Sequence, residues 1–427
     1  MWYNVSMIKI EKIIPGGEAL GTDENGKKVF FWNALPGEEV VEYEVRKKKS
    51  HFDKAVATKI ENPSPYRIKP LDECFLSTSP WQIMDYNYEL KTKQELIVEI
   101  FREHQIDIEA PEIITDGQDF HYRNKMEYSL YFDQEKNQIL PSFHMRGSHS
   151  KVPITGSSIE RPEIFAEAKR IIDDLNARGE EARKYQSLLL RCDQFGKVSG
   201  GLYENGKPHP VFNNLTDSIL GYEYSYSPNG FFQINLPVYE LALKEIKKHI
   251  STDKVLDLYA GVGTIGLSVA RDKNLTLAEV DKFAFSELAR NIFVEDSPRL
   301  TRSGFSEGSP VTLAPWDANC RRQTGRTERV RNENILAVLA KSEEVLDYIA
   351  PDQTVILDPP RAGCDEKLIN KLNEEKPEKI IYLSCNPATQ ARDIKILLEN
   401  YRIDSIKTFN FFPRTPHIEN LVILSLK

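Results

Sequence analysis

The residues best suited to chemistry in this chain are a cysteine at the end of an apolar run and an acid followed by two prolines. Cys385 follows residues 379–383 in KIIYLSCNPAT, and Asn386-Pro387 stops the run, so the thiol falls where a buried strand gives out. In open α/β sheets the carboxyl ends of the strands border the ligand crevice, which makes Cys385 a candidate nucleophile. A lone cysteine is more often packing, and its neighbours must decide. Asp358 ends a second apolar run in TVILDPPRAG. The two prolines freeze the next turn and hold the carboxylate toward the same crevice. A structural strand terminator would look the same.

A third constellation lies upstream. KVLDLYAGVGTIGLSVA reads as strand, glycine loop and helix, with Gly261, Gly263 and Gly266 in G-x-G-x-x-G spacing, where missing Cβ atoms let backbone approach a ligand. A second strand, NLTLAEV, ends at Glu279, about twenty residues on, where an acid can accept from ribose hydroxyls. That spacing suits adenine dinucleotides and S-adenosylmethionine alike. Asp281 is the neighbouring candidate, and strand alternation favours Glu279. SPNGFFQIN, residues 227–235, brings Phe231, Phe232 and the Gln233 amide into a loop, where rings can stack on a base while an amide reads its polar edge. Aromatics in such a loop are more often core.

These pieces need an α/β unit to hold them, and the chain has room for more. Its 427 residues, 40% hydrophobic, predict two or three domains. Five cysteines without regular spacing predict reduced thiols and a cytoplasmic protein, and no run is long and apolar enough for a membrane span. Net charge of −8 and a pI near 5.7 exclude a uniformly basic surface, although Arg46, Lys47, Lys48 and Lys49 form a local patch. Residues 1–62, with short alternating strands between Pro-Gly and Asn-Gly turns, predict a small OB-like barrel that carries this patch on its last hairpin. Residues 63–226 read as a mixed α+β central domain, with helices over 88–106 and 161–178 and strands near 122–132 and 186–204. Residues 227–427 read as the catalytic α/β domain. Within it, residues 297–334 hold seven arginines and no lysine and exceed what the α/β unit requires, which predicts a flexible insertion.

Taken together, these motifs resemble the RNA 5-methyluridine methyltransferase family over nearly the full length. The carriers are GGEALG and NALPGEEV, similar to a TRAM barrel, then FFQIN, LDLYAGVGTIGL, AEVD, LDPPRAG, YLSCNPAT and FPRTPHIEN. The resemblance implies a class I Rossmann-like S-adenosylmethionine-dependent methyltransferase domain. It implies Cys385 as nucleophile and Glu419 as base, and Gln233, Tyr259, Gly261, Gly263, Glu279 and Asp358 at the cofactor. Arg123, Phe231, Phe232 and Arg361 would face the substrate. His417 lies two residues before Glu419, where strand alternation would point both side chains to one side, so it either supports the base or is a satisfied structural histidine. An adenine contact is expected near Ser342, just after the departing segment. Many relatives hold an iron-sulfur cluster from Cys74 onward; Phe75, Ser77 and Ser79 stand here instead, so no cluster and no metal are expected. The implied partner is RNA, ribosomal rather than transfer, with a monomer as the default. Two other readings remain open: an amino-methyltransferase acting on bases, which would need the acid-Pro-Pro turn but no thiol, and a non-catalytic RNA-binding protein on the same scaffold.

Overall fold

The computed structural model describes residues 7–209, 212–293 and 328–427. Alternation in IKIEKI and KVFFW turns every second side chain inward, and five such strands close on themselves: β1 (Ile8–Ile13), β2 (Ala19–Thr22), β3 (Lys28–Trp32), β4 (Val40–Lys48) and β5 (Phe52–Glu61). The order is β1-β2-β3-β5-β4, with β1 against β4 completing the barrel around Ile8, Ile10, Val29, Phe31 and Val41. The segment after it is fastened. Glu39, fully buried, accepts from Leu35 N, Ser64 N and the Arg67 guanidinium.

After the short α1 (Phe75–Thr78), α2 (Tyr86–Glu103) starts where the Asp85 carboxylate accepts from the main-chain N–H groups of Asn87 and Tyr88. Its apolar face, Leu96, Ile97, Ile100 and Phe101, packs in one core with Leu256, Val355 and Tyr382. The next strand, β6 (Glu112–Ile114), pairs with a C-terminal strand. Residues 75–114 therefore belong to the catalytic layers, not to the central domain in which the sequence pattern put them. That pattern registers a helix but not the sheet it covers.

The central unit is an antiparallel sheet of β7 (Lys125–Asp133), β8 (Gln138–His144), β9 (Lys151–Pro153), β10 (Tyr185–Cys192), β11 (Val198–Glu204) and β12 (Lys207–His209), in the order β12-β11-β10-β7-β8-β9. α3 (Pro162–Arg178) lays Ile164, Ala168, Ile172 and Leu175 on it. The hairpin of β13 (Leu215–Ile219) and β14 (Tyr222–Tyr226) again leaves the expected boundary, because Leu215, Ile219, Tyr224 and Tyr226 are buried in the catalytic core.

The catalytic sheet continues through α4 (Leu236–Lys248), β15 (Lys254–Leu258), α5 (Thr264–Val269), β16 (Asn274–Glu279), α6 (Lys282–Asn291), β17 (Arg329–Asn332) and β18 (Ile335–Leu339). β19 (Gln353–Leu357), α7 (Glu366–Glu375), β20 (Lys379–Ser384), α8 (Pro387–Leu397), β21 (Tyr401–Phe409) and β22 (Glu419–Leu426) complete it. Nine strands run in the order β17-β18-β16-β15-β19-β20-β22-β21-β6. Strands β18, β16, β15, β19 and β20 are parallel and β22 is antiparallel to β20. The carboxyl ends of the parallel strands and the start of β22 thus share one edge. α2, α7 and α8 cover one face, and α4, α5 and α6 the other. Most of the expected insertion, residues 297–327, lies outside the described residues, but its tail does not: 329–332 form β17, paired with β18. No helix among the described residues is long and apolar enough to cross a membrane.

Candidate active site at the carboxyl edge of the sheet

Cys385 is the first residue past β20. The antiparallel register pairs Ser384 with Asn420, which brings Cys385 alongside Glu419, the first residue of β22. A buried amide network fixes that pairing. Gln390 Nε2 donates to Tyr382 O (2.8 Å) and Asn420 O (3.0 Å), Asn420 Nδ2 donates back to Gln390 Oε1 (2.8 Å), and Thr408 Oγ1 donates to Asn420 Oδ1 (2.8 Å). Burial, then the carboxyls of Glu419 and Asp358, push the Cys385 thiol up to about 11, while the Arg361 guanidinium beside it pulls the other way. Glu419, buried, is held well above the carboxylate range by burial and by Asp358, against the same arginine. Burial alone raises Asp358 to about 7. Cys385, Glu419, Asp358 and Arg361 therefore lie close enough to act on one another's charge.

The turn that carries Asp358 and Arg361 is clasped by the helix that follows the cysteine. Asn386 Nδ2 (2.8 Å) and Thr389 Oγ1 (3.3 Å) donate to Arg361 O, and Arg392 donates to Ala362 O (3.2 Å). Asp393 accepts from Cys364 N (3.0 Å) and from the Tyr382 hydroxyl (2.8 Å). Cys364 itself is buried and pushed up to about 12, mainly by that burial, so it is a packing residue. His417 meets Arg361, Nδ1 to guanidinium 3.0 Å, and sets its ring edge-on to Phe412. Burial and then the Arg361 charge push it down to about 4, which keeps the imidazole neutral. The expected support of Glu419 by His417 is corrected accordingly: His417 precedes the strand, so the two-residue spacing does not align the side chains, and its partner is Arg361.

Next along the edge, Glu279 ties the glycine loop to the second strand. Its Oε2 accepts from Gly261 N (2.7 Å) and its Oε1 from Asp281 N (2.6 Å). Asp281 caps α6 through Ala284 N and is thereby committed to structure. Gly263, at φ +91, opens α5, and a Cβ there would come within 2.5 Å of Leu288 Cδ1 and 2.8 Å of Leu267 Cδ1. Tyr259, half-buried at φ +67, neighbours Ser342, the first residue past the turn after β18. Asp257 is a further candidate for the site that the spacing of the glycines did not reveal. Fully buried on β15, it accepts from Gly266 N with Oδ2 (2.8 Å), has no partner for Oδ1, and is raised to about 8 by burial and by Asp358 and Glu279. Its signal was the one acid inside the strand KVLDL.

The 227–235 loop is gripped from the central sheet. Lys125 Nζ donates to Asn229 O (3.2 Å) and Gly230 O (3.1 Å), and buried Arg191 donates to Gly230 O (3.3 Å). Arg191, a lone charge in LLLRC, was not anticipated. Gln233 is buried, its carbonyl accepting from Asn124 Nδ2 (3.1 Å). Phe231 is 74% exposed, but Phe232 is 4% exposed and stacks on Tyr226 at 3.8 Å. The expectation that both rings stack on a base is corrected for Phe232, whose face is already covered. Arg123 donates through Nε to Lys125 O (2.9 Å), and burial lowers its pKa. Cys74 lies apart, against Gly156 O and beside an Asp72 carboxylate that accepts from Gln82, Ser157 and Ser158. Among the described residues no three metal-ligating side chains gather.

Sheet order, glycine loop and acid-lined edge define a methyltransferase fold. A solved structure of similar fold is the Pyrococcus abyssi tRNA (uracil-54, C5)-methyltransferase in complex with S-adenosyl-L-homocysteine, at TM-score 0.71 and 23% identity, covering 99% of this chain and 100% of that one. Similar sequences include uncharacterized RNA methyltransferases of Thermotoga maritima (28% identical; 98% of this chain, 99% of the relative) and Bacillus anthracis (26%; 98% and 96%). Residues 341–427, which hold Asp358, Cys385 and Glu419, match the model of the tRNA (uracil-5-)-methyltransferase family.

Proposed function

We propose that the protein methylates C5 of a uridine in RNA from S-adenosylmethionine, through a covalent bond between Cys385 and C6. The observation that carries this reading is the adjacency of Cys385 and Glu419 across β20 and β22, with Asp358 and Arg361 close enough to act on their charge. The crevice suits the cofactor. Asp257 keeps an unpartnered oxygen, and Asp257 and Asp358 are raised acids short of positive charge, which favours a cationic sulfonium; Glu279, which accepts from the glycine loop at Gly261 N, is read as the acceptor for the ribose hydroxyls. Gln233, Tyr259, Gly261, Gly263, Glu279 and Asp358 would hold it. When bound, it supplies an electrophilic methyl group.

Uracil C5 is too weak a nucleophile to take that group unaided. Cys385, ionised, adds to C6, and the C5–C6 π pair moves into the C4 enolate, which makes C5 carbanion-like. C5 would then take the methyl group as the methyl–sulfonium bond breaks and its electron pair returns to sulfur, leaving a neutral thioether. Glu419 removes the C5 proton, the enolate re-forms, and its electrons expel the Cys385 thiolate to restore the C5–C6 double bond. A stacked uridine cannot reach the thiol, so the base is turned out, with exposed Phe231 offering a face and Arg123 a cation. The N-terminal barrel, read as a TRAM domain, would grip RNA through Arg46, Lys47, Lys48 and Lys49, all exposed, and it inclines the substrate to large-subunit ribosomal RNA. A compartment that keeps Cys385 reduced, the cytoplasm, fits this chemistry.

The test is trapping with 5-fluorouridine RNA and the methyl donor. Fluorine cannot leave as the proton does, so addition at C6 leaves a stable protein–RNA adduct. Wild-type protein is expected to form it and Cys385→Ala to form none. Methyl transfer to exocyclic amino groups, or RNA binding without transfer, would replace this reading. Mapping 5-methyluridine in ribosomal and transfer RNA with and without the gene then identifies the substrate.

A further inference from the structure

The first turn of the barrel touches the loop that leads into Glu419. Gly17, between β1 and β2, stands at φ +89, and a Cβ there would collide with Pro416 Cβ and lie 2.7 Å from Pro416 Cγ. Its carbonyl accepts from the Trp81 indole Nε1 (3.0 Å), and Trp81, 2% exposed, donates its main-chain N–H to Arg414 O (3.0 Å). The opposite side of the same loop is tied to α2. Arg414, at φ +62, donates its main-chain N–H to Glu89 (3.0 and 3.1 Å), and Glu89 pairs with buried Lys93, which reaches Asn410 Oδ1 (2.6 Å) and Phe412 O (3.2 Å). Residues 410–418 are thus clamped between a helix of the catalytic layers and a turn of the barrel. Pro416 stands one residue before His417, the Arg361 partner, and three before Glu419.

We propose that the β1–β2 turn braces the loop delivering Glu419, with Gly17 as a positioning residue, so that the barrel acts on proton removal from C5 as well as on RNA capture. The close approach at Gly17 admits no side chain, and the displacement it forces falls first on Pro416, with Trp81 Cζ2 next at 3.3 Å. Three residues on, a shift of about 1 Å at a catalytic carboxylate is enough to cost up to a hundredfold in rate. The proposal rests on the reading of Glu419 as the base. It differs from a simple RNA-binding role for the barrel, which would change affinity and leave turnover alone.

Gly16 supplies the control. It also has positive φ, +101, but a Cβ there meets nothing within 4 Å. Gly16→Ala and Gly17→Ala therefore share backbone strain, and only the second pushes Pro416. Steady-state methylation and the amount of covalent protein–RNA species on ordinary RNA are measured for both. Gly17→Ala is expected to lower kcat about tenfold or more with KM for RNA within about twofold, and to accumulate methylated adduct because its resolution is slowed. Gly16→Ala is expected to resemble wild type. If Gly17→Ala does not fold, Trp81→Phe, which deletes the donor to Gly17 O, is read in the same way. Equal losses in the two glycine variants, a change confined to KM, or a lower kcat without adduct would overturn the brace. Failure of wild type to form the 5-fluorouridine adduct would instead overturn the reading of the site.

Discussion

Replacing Arg361 by Gln should slow the reaction of the Cys385 thiol by about tenfold without unfolding the pocket. The guanidinium is the cation that counters Glu419 and Asp358 at the sulfur, and the thiol still stands at about 11 with it present. At pH 8 that leaves about one thiolate in a thousand. An opposite charge a few ångströms away shifts a pKa by about one to three units, and Arg361 is exposed, so we take the low end, about one unit or ~1.4 kcal/mol. The main chain around Arg361 is held by Asn386 and Thr389 through its carbonyl, so the substitution removes charge and leaves the turn tied. The assay is the rate of iodoacetamide capture at Cys385, followed by peptide mass spectrometry from pH 6 to 11. Below the thiol pKa both proteins should gain a decade per pH unit along parallel lines about tenfold apart, which close together at higher pH. Arg361→Lys should recover most of the loss. Cys364 and Cys192, both buried, serve as internal reporters of unfolding. Superimposed lines, or a faster variant, would refute the electrostatic role given to Arg361.

Other outcomes follow from the same geometry. Glu419→Gln should still form the C6 adduct and accept the methyl group but fail to release it, so that covalent protein–RNA species build up on ordinary RNA while turnover drops by about 10²–10⁴-fold. A gel of denatured reaction mixtures checks this, and free product at the wild-type rate would contradict it. Glu160 gives a pH signature of stability. Burial raises it from the usual 4.5 to about 7, against donors from Tyr128 and Ser157. Between those values the folded chain keeps a proton that the unfolded chain has released, so this contribution is full below pH 4.5 and is lost as pH rises through 7. It amounts to at most about 3 kcal/mol. Urea midpoints at pH 5 and pH 8 should differ more in wild type than in Glu160→Gln, and equal differences would contradict the shift.

Much of the site was legible in the sequence because its residues lie where strands stop. Cys385, Asp358 and the glycine loop each follow a short apolar run, and the parallel register gathers those run ends without further information. Glu419 was legible only through resemblance, since its place at the same edge depends on β22 running antiparallel, which no local pattern encodes. Phe232 misled for a related reason. Two adjacent phenylalanines in an extended loop point opposite ways, and which one meets Tyr226 is decided by a hairpin that the pattern assigned to another domain. Asp257 and Arg191 were missed because a single charge in an apolar strand reads as noise until its partners are known. The domain borders failed at α2 and β6, whose amphipathic pattern says that a face is buried but not against what.

The electrostatics of the pocket favour a nucleophile that is quiet until its substrates arrive. Cys385, Asp358 and Glu419 are all raised, and Glu419 and Asp358 each add to the suppression of the thiol, with Arg361 as the nearby counter-charge. A cation entering the crevice favours the ionised form of every one of them through the same Coulomb interaction by which they oppose one another. Linkage makes the effect reciprocal: what the cation does for ionisation, ionisation does for cation binding. On the proposed mechanism, the thiolate that adds to the ring and the carboxylate that later takes its proton would both be promoted by filling the crevice, and the empty protein holds a sulfur too protonated for indiscriminate alkylation. Burying the carboxyls thus serves order of events, because a solvated Glu419 would be a weaker base and a solvated Cys385 an unguarded one.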